Sequence, residues 1–483
     1  MGNPIAYLML VLWPVICLVL FRTQKLERAM IWSILGGYLF LPPLTEFNLP
    51  LVPAMDKVSI PNLSVLLIML FAMKEKLRLW PEMRAAQWLV AGFILCAIPT
   101  VLTNRDPILF EIMRDADPIL FLVDQLPGQN VRDIGSVLIG QILMIVPFLL
   151  ARQFLASEEG LREILLALMV GALIYSVPSL IEIRLSPQIN VWVYGFFQHS
   201  FEQMIRAGGY RPIVFLPHGL WLALFVCTGV MAAAALIPAT RPIDRWKVIL
   251  ATGYLFMLLV LCKSLAALAY GIVLVPLILF ASWRWQVRVA LVFALVAITY
   301  PMLRNLHLIP LDAILAQAEA ISVERAASLE YRFNNEEQLL ARAAEKPAFG
   351  WGGWGRSLIR DPETGEILSI PDGRWIIVFG TFGWLGYVCE MGLLALPLVL
   401  IWLSMGRDTP LSPHIAPLCL ILGITMMDML LNATLTPVTW LTAGAILGHA
   451  EKRLPRTARR PRYALGPAAM GASAAPNGKR TIL

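Results

Sequence analysis

Residues 214–237, VFLPHGLWLALFVCTGVMAAAALI, decide the fold. These 24 residues contain no Asp, Glu, Lys or Arg, and a helix needs about 20 apolar residues to cross a bilayer. Twelve further apolar runs lie near 4–21, 30–45, 59–73, 86–102, 134–151, 163–183, 247–262, 264–282, 287–303, 375–404, 414–431 and 436–450. The sequence therefore predicts an all-α, polytopic membrane helical bundle of about 12–13 spans.

The composition of the whole chain agrees with this class. Of the 483 residues, 58% are hydrophobic and 15% are charged, and the mean hydropathy is +0.71. An average soluble domain is about 45–50% apolar and about 25% charged. These values exclude an ordinary cytosolic enzyme, a disordered protein and a small disulfide-stapled secreted module.

For two of the apolar runs the sequence does not decide how the helix passes through the membrane. The run 375–404 is long enough to tilt strongly, or to begin as an interfacial segment before it spans. The run 247–282 is divided only by Lys263-Ser264, so it is either two short spans or a re-entrant segment.

Lys and Arg predict the orientation, because they accumulate in cytoplasmic loops. Of the 39 basic residues, 23 fall on one predicted side and 16 on the other. The 23 lie in the linkers 22–28, 74–84, 152–162, 241–247, 284–288 and 407 and in the tail 451–483. The other side carries the acidic residues Asp106, Glu111, Asp115, Asp117, Asp124 and Asp133 in one loop. We predict that the N-terminus is outside and that the C-terminus is cytoplasmic.

This topology divides the chain into four parts. Residues 1–303 hold about ten spans, 304–374 form one large, partly helical outer loop, 375–450 hold the last spans, and 451–483 form a basic, disordered tail. Within the loop, 312–346 have helical composition and an apolar face.

A glycine- and tryptophan-rich turn follows that predicted helix. It reads FGWGGWGR at 349–356 and matches G-x-G-x-x-G, but a dinucleotide site requires a βαβ unit that an α-helical chain lacks. We expect Trp351 and Trp354 to contact lipid headgroups or a sugar ring, and Arg356 to help shape the turn.

Several cations lie on the predicted outer side, against the topological trend. Guanidinium groups match phosphate oxygens in a bidentate fork, so these residues favour a phosphate-bearing ligand at the membrane surface. They are Arg206, Arg211, Lys263, Arg332 and Arg374. For Arg206 and Arg211 the alternative is snorkelling from helix ends. For His218, which begins a span, the alternative is a hydrogen-bonded residue at a helix end.

Acidic residues within the apolar runs are also compatible with a second functional class, a transporter. Intramembrane acids are functional candidates, and Glu182, Glu390 and Asp428 with Lys263 fit that class. No interrupted half-repeats of the transporter kind are found. His199, His307, His414 and His449 show no metal-ligand spacing, so we expect no metal centre.

Three local patterns carry a family resemblance. Arg206-x-x-Gly209-x-Arg211 runs on to Pro217-His218. Arg332 precedes a helix and then Lys346-Pro-Ala-Phe-Gly350-Trp-Gly352. Ten residues separate Asp372 from Gly383, and Gly386 follows. In this order the chain resembles the O-antigen polymerases and O-antigen ligases, which are integral-membrane proteins of bacterial envelopes.

One position departs from the family pattern, because Asp372 stands where the ligases have His. The catalytic role of that His therefore does not transfer unchanged. Asp372 itself acts as base or orienter, or Arg374 takes part, or the chain is a polymerase with a different arrangement.

The resemblance implies glycosyl transfer at the periplasmic face of the bacterial inner membrane. The donor would be a polyprenyl-diphosphate-linked oligosaccharide, and we expect a metal-independent, inverting enzyme without cofactor. Arg206, Arg211 and Arg332, with Lys263 and Arg374, are the candidates for the diphosphate. His218, Asp372 and Glu336 are the candidates for orienting or deprotonating the acceptor hydroxyl.

A polymerase of exopolysaccharide or O-antigen repeat units is the first expectation. The alternatives are an O-antigen ligase acting on lipid A core, a transporter or flippase of lipid-linked sugars, and a structural partner in a secretion complex. The expected partners are the lipid-linked oligosaccharide, membrane lipid and a chain-length-regulating copolymerase. No nucleic acid is expected.

Overall fold

The computed structural model describes residues 2–48, 52–114, 120–206, 208–306, 308–361, 365–406 and 411–454. Most of the predicted basic tail, from 455 onward, lies outside these residues. The same holds for Asp115 and Asp117 of the predicted acidic loop and for His307 and Arg407.

Helices account for nearly all of the regular structure. In chain order they are α1 (Pro4–Thr23), α2 (Leu26–Phe40), α3 (Ser59–Leu67, continued by a π-helical turn Ile68–Ala72), α4 (Arg84–Leu95), α5 (Ala97–Leu102), α6 (Val131–Phe154), α7 (Glu158–Leu185), α8 (Ile189–Tyr194), α9 (Gly219–Leu236), α10 (Arg245–Leu261), α11 (Leu265–Phe280), α12 (Trp283–Asn305), α13 (Leu311–Ile321), α14 (Val323–Ala344), α15 (Arg374–Leu403), α16 (Ile415–Asp428) and α17 (Pro437–Arg453).

Each of the thirteen predicted apolar runs is helical along most of its length. Within the described part of the chain, seven helical segments are long and apolar enough to cross a membrane, and three shorter apolar helices accompany them. The prediction of a polytopic helical membrane bundle is confirmed. The number of spans stays a prediction.

The predicted outer-loop helix is present as two helices, α13 and α14, with a break at Ser322. On α14 the apolar side chains Phe333, Leu339, Leu340 and Ala343 are buried. This is the face that the spacing of these residues predicted.

Two short β-hairpins were not predicted. Strands β1 (Ile108–Arg114) and β2 (Leu120–Leu126) pair antiparallel, with Ile108 opposite Leu126. Strands β3 (Ile205–Arg206) and β4 (Gly209–Tyr210) form the second hairpin. The first hairpin is rich in β-branched and aromatic residues and is bounded by Pro107 and Pro127, which disfavour helix.

Small residues let the core helices pack closely. On α17, a Cβ at Gly444 or Gly448 would collide with the backbone carbonyls of Phe148 and Arg152 on α6. Glycines four residues apart allow two helix backbones to approach in a membrane, where packing rather than water exclusion holds helices together. Gly423 of α16 faces the α12 backbone in the same way.

Contacts between connecting segments define each end of the bundle. We call the end that holds Asn3, Lys57, Tyr194 and Phe215 the site end. There the backbone N–H of Asn3 donates to Tyr194 O over 2.9 Å. Lys57 Nζ donates to Phe215 O over 2.9 Å. Asn3, Lys57 and Tyr194 belong to segments predicted to lie outside, and Phe215 lies at the start of the predicted span 214–237.

The opposite end gathers the segments predicted to be cytoplasmic. Arg152 and Glu451 form a buried ion pair of 2.8 Å there, and Arg152 also donates to Trp80 O over 3.0 Å. Lys25 and Glu159 form an exposed pair of 2.7 Å. The sorting of these loops into two groups agrees with the sequence, while the side of the membrane that each end faces stays a prediction.

Helix α15 is broken at Gly383, where φ is +64° and ψ is −163°. The first two backbone N–H groups after the break donate to residues outside the helix. Trp384 N–H donates to Pro347 O over 2.8 Å, and Leu385 N–H donates to Ala348 O over 3.3 Å. A Cβ at Gly383 would collide with the Ala348 backbone. The long run therefore consists of two helical segments that meet at Gly383, and the path of each segment relative to the membrane stays a prediction.

Candidate functional site

Arg211 is fixed at the site end by the loop that precedes α9. Its backbone N–H donates to Met204 O over 2.7 Å. Its side chain is buried and lies against Gly219, where a Cβ would collide with it. The guanidinium donates through Nη2 to Lys263 O over 3.0 Å, so this loop is attached to the turn between α10 and α11.

Lys263 in turn contacts the hairpin that carries Arg206. Its backbone has a φ of +51°, a conformation that costs energy for a residue with a side chain. Its Nζ donates to Arg206 O over 2.8 Å and occupies the space that a Cβ at Gly209 would need. The run 247–282 thus forms two helices, and their turn brings Lys263 to Arg206 and Arg211.

His218 is the N-cap of α9. Its Nδ1 accepts a hydrogen bond from Leu220 N–H over 2.9 Å, so in the neutral ring the proton is on Nε2, which lies 3.3 Å from Gln203 Oε1. The helix-end role offered by the sequence is confirmed. A ring that already uses Nδ1 as an acceptor presents a donor to the site and not a base.

The charges around His218 show which cations converge. Burial, the neighbouring His199 and the positive charges of Arg211, Arg332 and Arg206 together lower the pKa of His218 to about 3, and burial is the largest cause. The three arginines come from two distant segments of the chain and act on one imidazole. Arg206, Arg211 and Arg332 therefore all lie near His218, and their joint use as a binding site stays a prediction.

Asp372 faces Arg332 across the site. Its Oδ2 lies 3.6 Å from Arg332 Nε, and the two side chains are 35% and 25% exposed. Burial raises the pKa of Asp372, while the charges of Arg332 and His199 oppose the rise. A carboxylate with this exposure is reachable by a ligand and by water.

Arg332 is oriented by the C-terminal end of α16. Its Nη1 donates to Leu431 O over 3.2 Å and to Asn432 Oδ1 over 3.4 Å. The Asn432 amide donates in turn to Asp428 Oδ1 over 3.2 Å, and Thr434 donates to Asp428 Oδ2 over 2.8 Å. Asp428 thus positions Arg332 through Asn432.

Two predicted site residues lie in structural ion pairs instead. Arg374 donates through Nε and Nη2 to the two oxygens of Glu390, each over 2.7 Å. Glu336 accepts from Tyr300 over 2.8 Å and from Arg304 over 3.1 Å. A bidentate pair occupies the phosphate-binding face of Arg374, and buried partners occupy Glu336, so neither belongs to the site that we propose below.

The glycine- and tryptophan-rich turn separates its two rings. Trp351 is 8% exposed, donates to Arg342 O over 2.8 Å, and packs under the Arg342 guanidinium at 3.4 Å. Trp354 is 56% exposed. Arg356 is buried and donates to Pro127 O and Asp106 O. Arg356 and Trp351 shape the turn, and Trp354 faces outward.

His199 joins the site without any signal in the sequence beyond its residue type. Its ring centroid lies 4.4 Å from that of His218. Burial lowers the pKa of His199, and the charge of Asp372 opposes this. His199 therefore lies close to His218 and within reach of the charge of Asp372. Its position depends on the fold of the 195–218 loop, which apolar periodicity does not encode.

The site thus combines cations, a partly exposed carboxylate and two imidazoles at one end of a membrane bundle. Across the residues that the structure describes, no group of three or more His, Cys, Asp or Glu side chains is arranged to hold a metal ion. The chain matches no protein-family model and no curated protein sequence.

Proposed function

We propose that this protein is a membrane glycosyltransferase that polymerises lipid-diphosphate-linked oligosaccharide repeat units at the periplasmic face of the bacterial inner membrane. The observation that carries the proposal is the convergence of Arg206, Arg211 and Arg332 around His218, beside Asp372. The family resemblance of the sequence supplies the substrate class.

The cations suit a diphosphate leaving group. In the proposed step the acceptor hydroxyl oxygen forms a bond to the anomeric carbon of the donor. The bond from that carbon to the diphosphate oxygen breaks, and its electron pair stays on the diphosphate. Fixed positive charges aimed at a developing anion lower the barrier, because they need no reorganisation during the reaction. Arg206, Arg211 and Arg332 have this role, with Lys263 holding Arg206 in place.

Asp372 is the proposed base. It takes the proton that the acceptor hydroxyl loses, and its raised pKa makes it a better proton acceptor than an ordinary aspartate. His218 holds its proton on Nε2, so it orients an oxygen of the substrate as a donor. His199 lies close enough to Asp372 for the two charges to interact, and it is the second proton-transfer candidate.

An apolar cleft beside the site supports a lipid-linked substrate. It lies among α7, α9, α16 and α17 and includes Trp221, Phe225 and Thr434 in its lining. Thr434 also donates to Asp428, so the cleft adjoins the residues that orient Arg332. We propose that this cleft receives part of the hydrocarbon chain of the substrate.

The transporter alternative loses its main support. Each of the three intramembrane acids has a structural partner: Glu390 pairs with Arg374, and Asp428 binds Thr434. Glu182 accepts the backbone N–H groups of Ile189, Ile213 and Val214. The ligase alternative shares the donor site and differs only in the acceptor.

The proposal is tested with purified protein and a fluorescent polyprenyl-diphosphate oligosaccharide. We expect polymer and released diphosphate lipid, with the same rate in chelator. Arg211→Ala should abolish polymer, and Arg184→Ala, which removes an exposed arginine at the end of α7, should not. Wild-type polymer from Arg211→Ala would overturn the site, and loss of activity in chelator would overturn the metal-free mechanism.

A further inference from the structure

A cleft lies between the glycine- and tryptophan-rich turn and the first segment of α15, apart from the cations. It encloses about 210 Å³, whereas one water molecule needs about 10–15 Å³. Its lining includes Gly352, Gly353, Trp354, Ser357 and Thr381. The cleft has room for a ligand of several non-hydrogen atoms.

The wall of this cleft is rigid. Trp351 N–H donates to Gly380 O over 2.8 Å and Gly352 N–H to Thr381 O over 2.9 Å. Gly350 has a φ of +68°, and a Cβ there would collide with the Thr381 backbone. The turn is therefore docked on α15 by its own backbone, and a ligand meets a preformed surface.

Trp354 is the unusual residue of the wall. Its φ is +58°, a conformation that a side chain disfavours and glycine tolerates. Its ring is nevertheless 56% exposed. Such backbone strain concentrates at functional sites. A large apolar ring presented beside glycine backbone amides and the Ser357 hydroxyl is the combination that a sugar ring fits, since a sugar has apolar C–H faces and polar edges.

The cleft adjoins the proposed reaction site. A second, small cavity of about 10 Å³ is lined by Arg332 and Asp372, and it shares Leu339 and Ile376 with the larger cleft. Leu339 and Ile376 thus line both cavities, and the smaller one, which has space for about one water molecule, connects the cleft with the surroundings of Asp372.

We propose that this cleft is a saccharide subsite, in which a pyranose ring of the acceptor glycan stacks on Trp354. Its description as the acceptor subsite rests on the proposed function. Saccharide binding itself does not depend on turnover and is measured without the donor.

The experiment measures binding of lipid-free repeat-unit oligosaccharide to the purified full chain. The probe is released by mild acid from the surface polysaccharide of the cell that makes the protein, and calorimetry gives the affinity. Trp354→Gly removes the ring at a position whose backbone suits glycine. We expect binding about tenfold weaker, as when an aromatic anchor is removed, and an unchanged or higher unfolding temperature.

Two further variants complete the test. Trp354→Phe keeps an aromatic face and should retain most of the affinity. Trp246→Ala removes a ring of nearly equal exposure, 57%, at the start of α10, and should bind as the wild type does. Equal affinity of Trp354→Gly and wild type, or no binding to either, would overturn the subsite and indicate that the ring contacts lipid headgroups.

The outcomes separate the two proposals. Oligosaccharide binding that depends on Trp354, in a protein without transfer activity, keeps the subsite and removes the proposed function. Transfer activity with an acceptor KM that is unchanged in Trp354→Gly keeps the function and removes the subsite. Arg332→Ala should bind the free oligosaccharide normally, because the arginine lies outside the cleft.

Discussion

Replacing Arg332 by Ala should separate activity from stability. The guanidinium lies 3.6 Å from Asp372, and both side chains are partly exposed, at 25% and 35%. An ion pair this open to solvent contributes about 0–1 kcal/mol, and the 3.2 Å bond to Leu431 O adds about 1 kcal/mol. The free energy of unfolding of a protein is typically about 5–15 kcal/mol. A loss of about 1–2 kcal/mol therefore leaves the variant folded.

The expected loss of activity is larger. Removing one preorganised donor from a developing anion costs about 2.7–4 kcal/mol, or about 10²–10³ in kcat. Arg332→Lys keeps the charge without the planar fork, so its rate should fall between those of wild type and Arg332→Ala.

The assay follows diphosphate-lipid release from a fluorescent lipid-linked oligosaccharide, with thermal unfolding of the same samples in detergent. Arg184→Ala is the matched control, since it removes an exposed arginine from the same end of the bundle. The reasoning is refuted if Arg332→Ala turns over at the wild-type rate. It is also refuted if its lost rate is matched by lost folded protein at the assay temperature.

The remaining predictions concern packing, a buried ion pair and pH. Gly444→Leu should lower the free energy of unfolding by about 1–3 kcal/mol, whereas Gly253→Leu should not, because nothing lies within 4 Å of a Cβ there; thermal melts that are alike for both would contradict the close helix packing. Glu451→Ala should cost about 3–5 kcal/mol, since it leaves a buried arginine without its carboxylate partner. Glu159→Ala breaks an exposed pair and should change the unfolding temperature far less, because surface ion pairs contribute little; the same melts compare the two variants. Because burial raises the pKa of Asp372 above its ordinary 3.8, the rate should fall with decreasing pH as the carboxylate takes up a proton, starting at a higher pH than for an ordinary aspartate. If the rate of the Asp372→Asn variant still falls in the same way with decreasing pH, another group is responsible for the titration.

The pattern of hydrophobic residues was sufficient to predict the positions of the apolar helices. A run such as 214–237 without a charged residue has few alternatives to a membrane helix, and the structure has α9 there. Patterning left the path of the run 375–404 open and did not predict the break of α15 at Gly383. It did not predict the β1–β2 hairpin, because a two-stranded hairpin within an acidic loop has no periodicity long enough to detect.

Side-chain partners were not predictable in the same way. Arg374 and Glu390 are four turns apart on one long run, and only the break at Gly383 lets them form a bidentate pair. Glu336 looked available, yet it is neutralised by Arg304 from another helix. His218 was correctly placed at a helix end, but the acceptor role of its Nδ1 follows from N-cap geometry that residue type alone does not fix.

The positions of the site cations show how basic residues are held at the end of the bundle that the sequence predicts to lie outside. Arg211 donates to Lys263 O, just beyond the C-terminus of α10, and Arg332 donates to Leu431 O, just beyond the C-terminus of α16. Helix C-termini carry partial negative charge and stabilise cations. The fold therefore holds both guanidinium groups at backbone carbonyl oxygens, and Arg332 also faces the Asp372 carboxylate. Carbonyl oxygens orient a guanidinium without cancelling its charge, so that charge still acts on the groups around His218 and on any anion that enters the site.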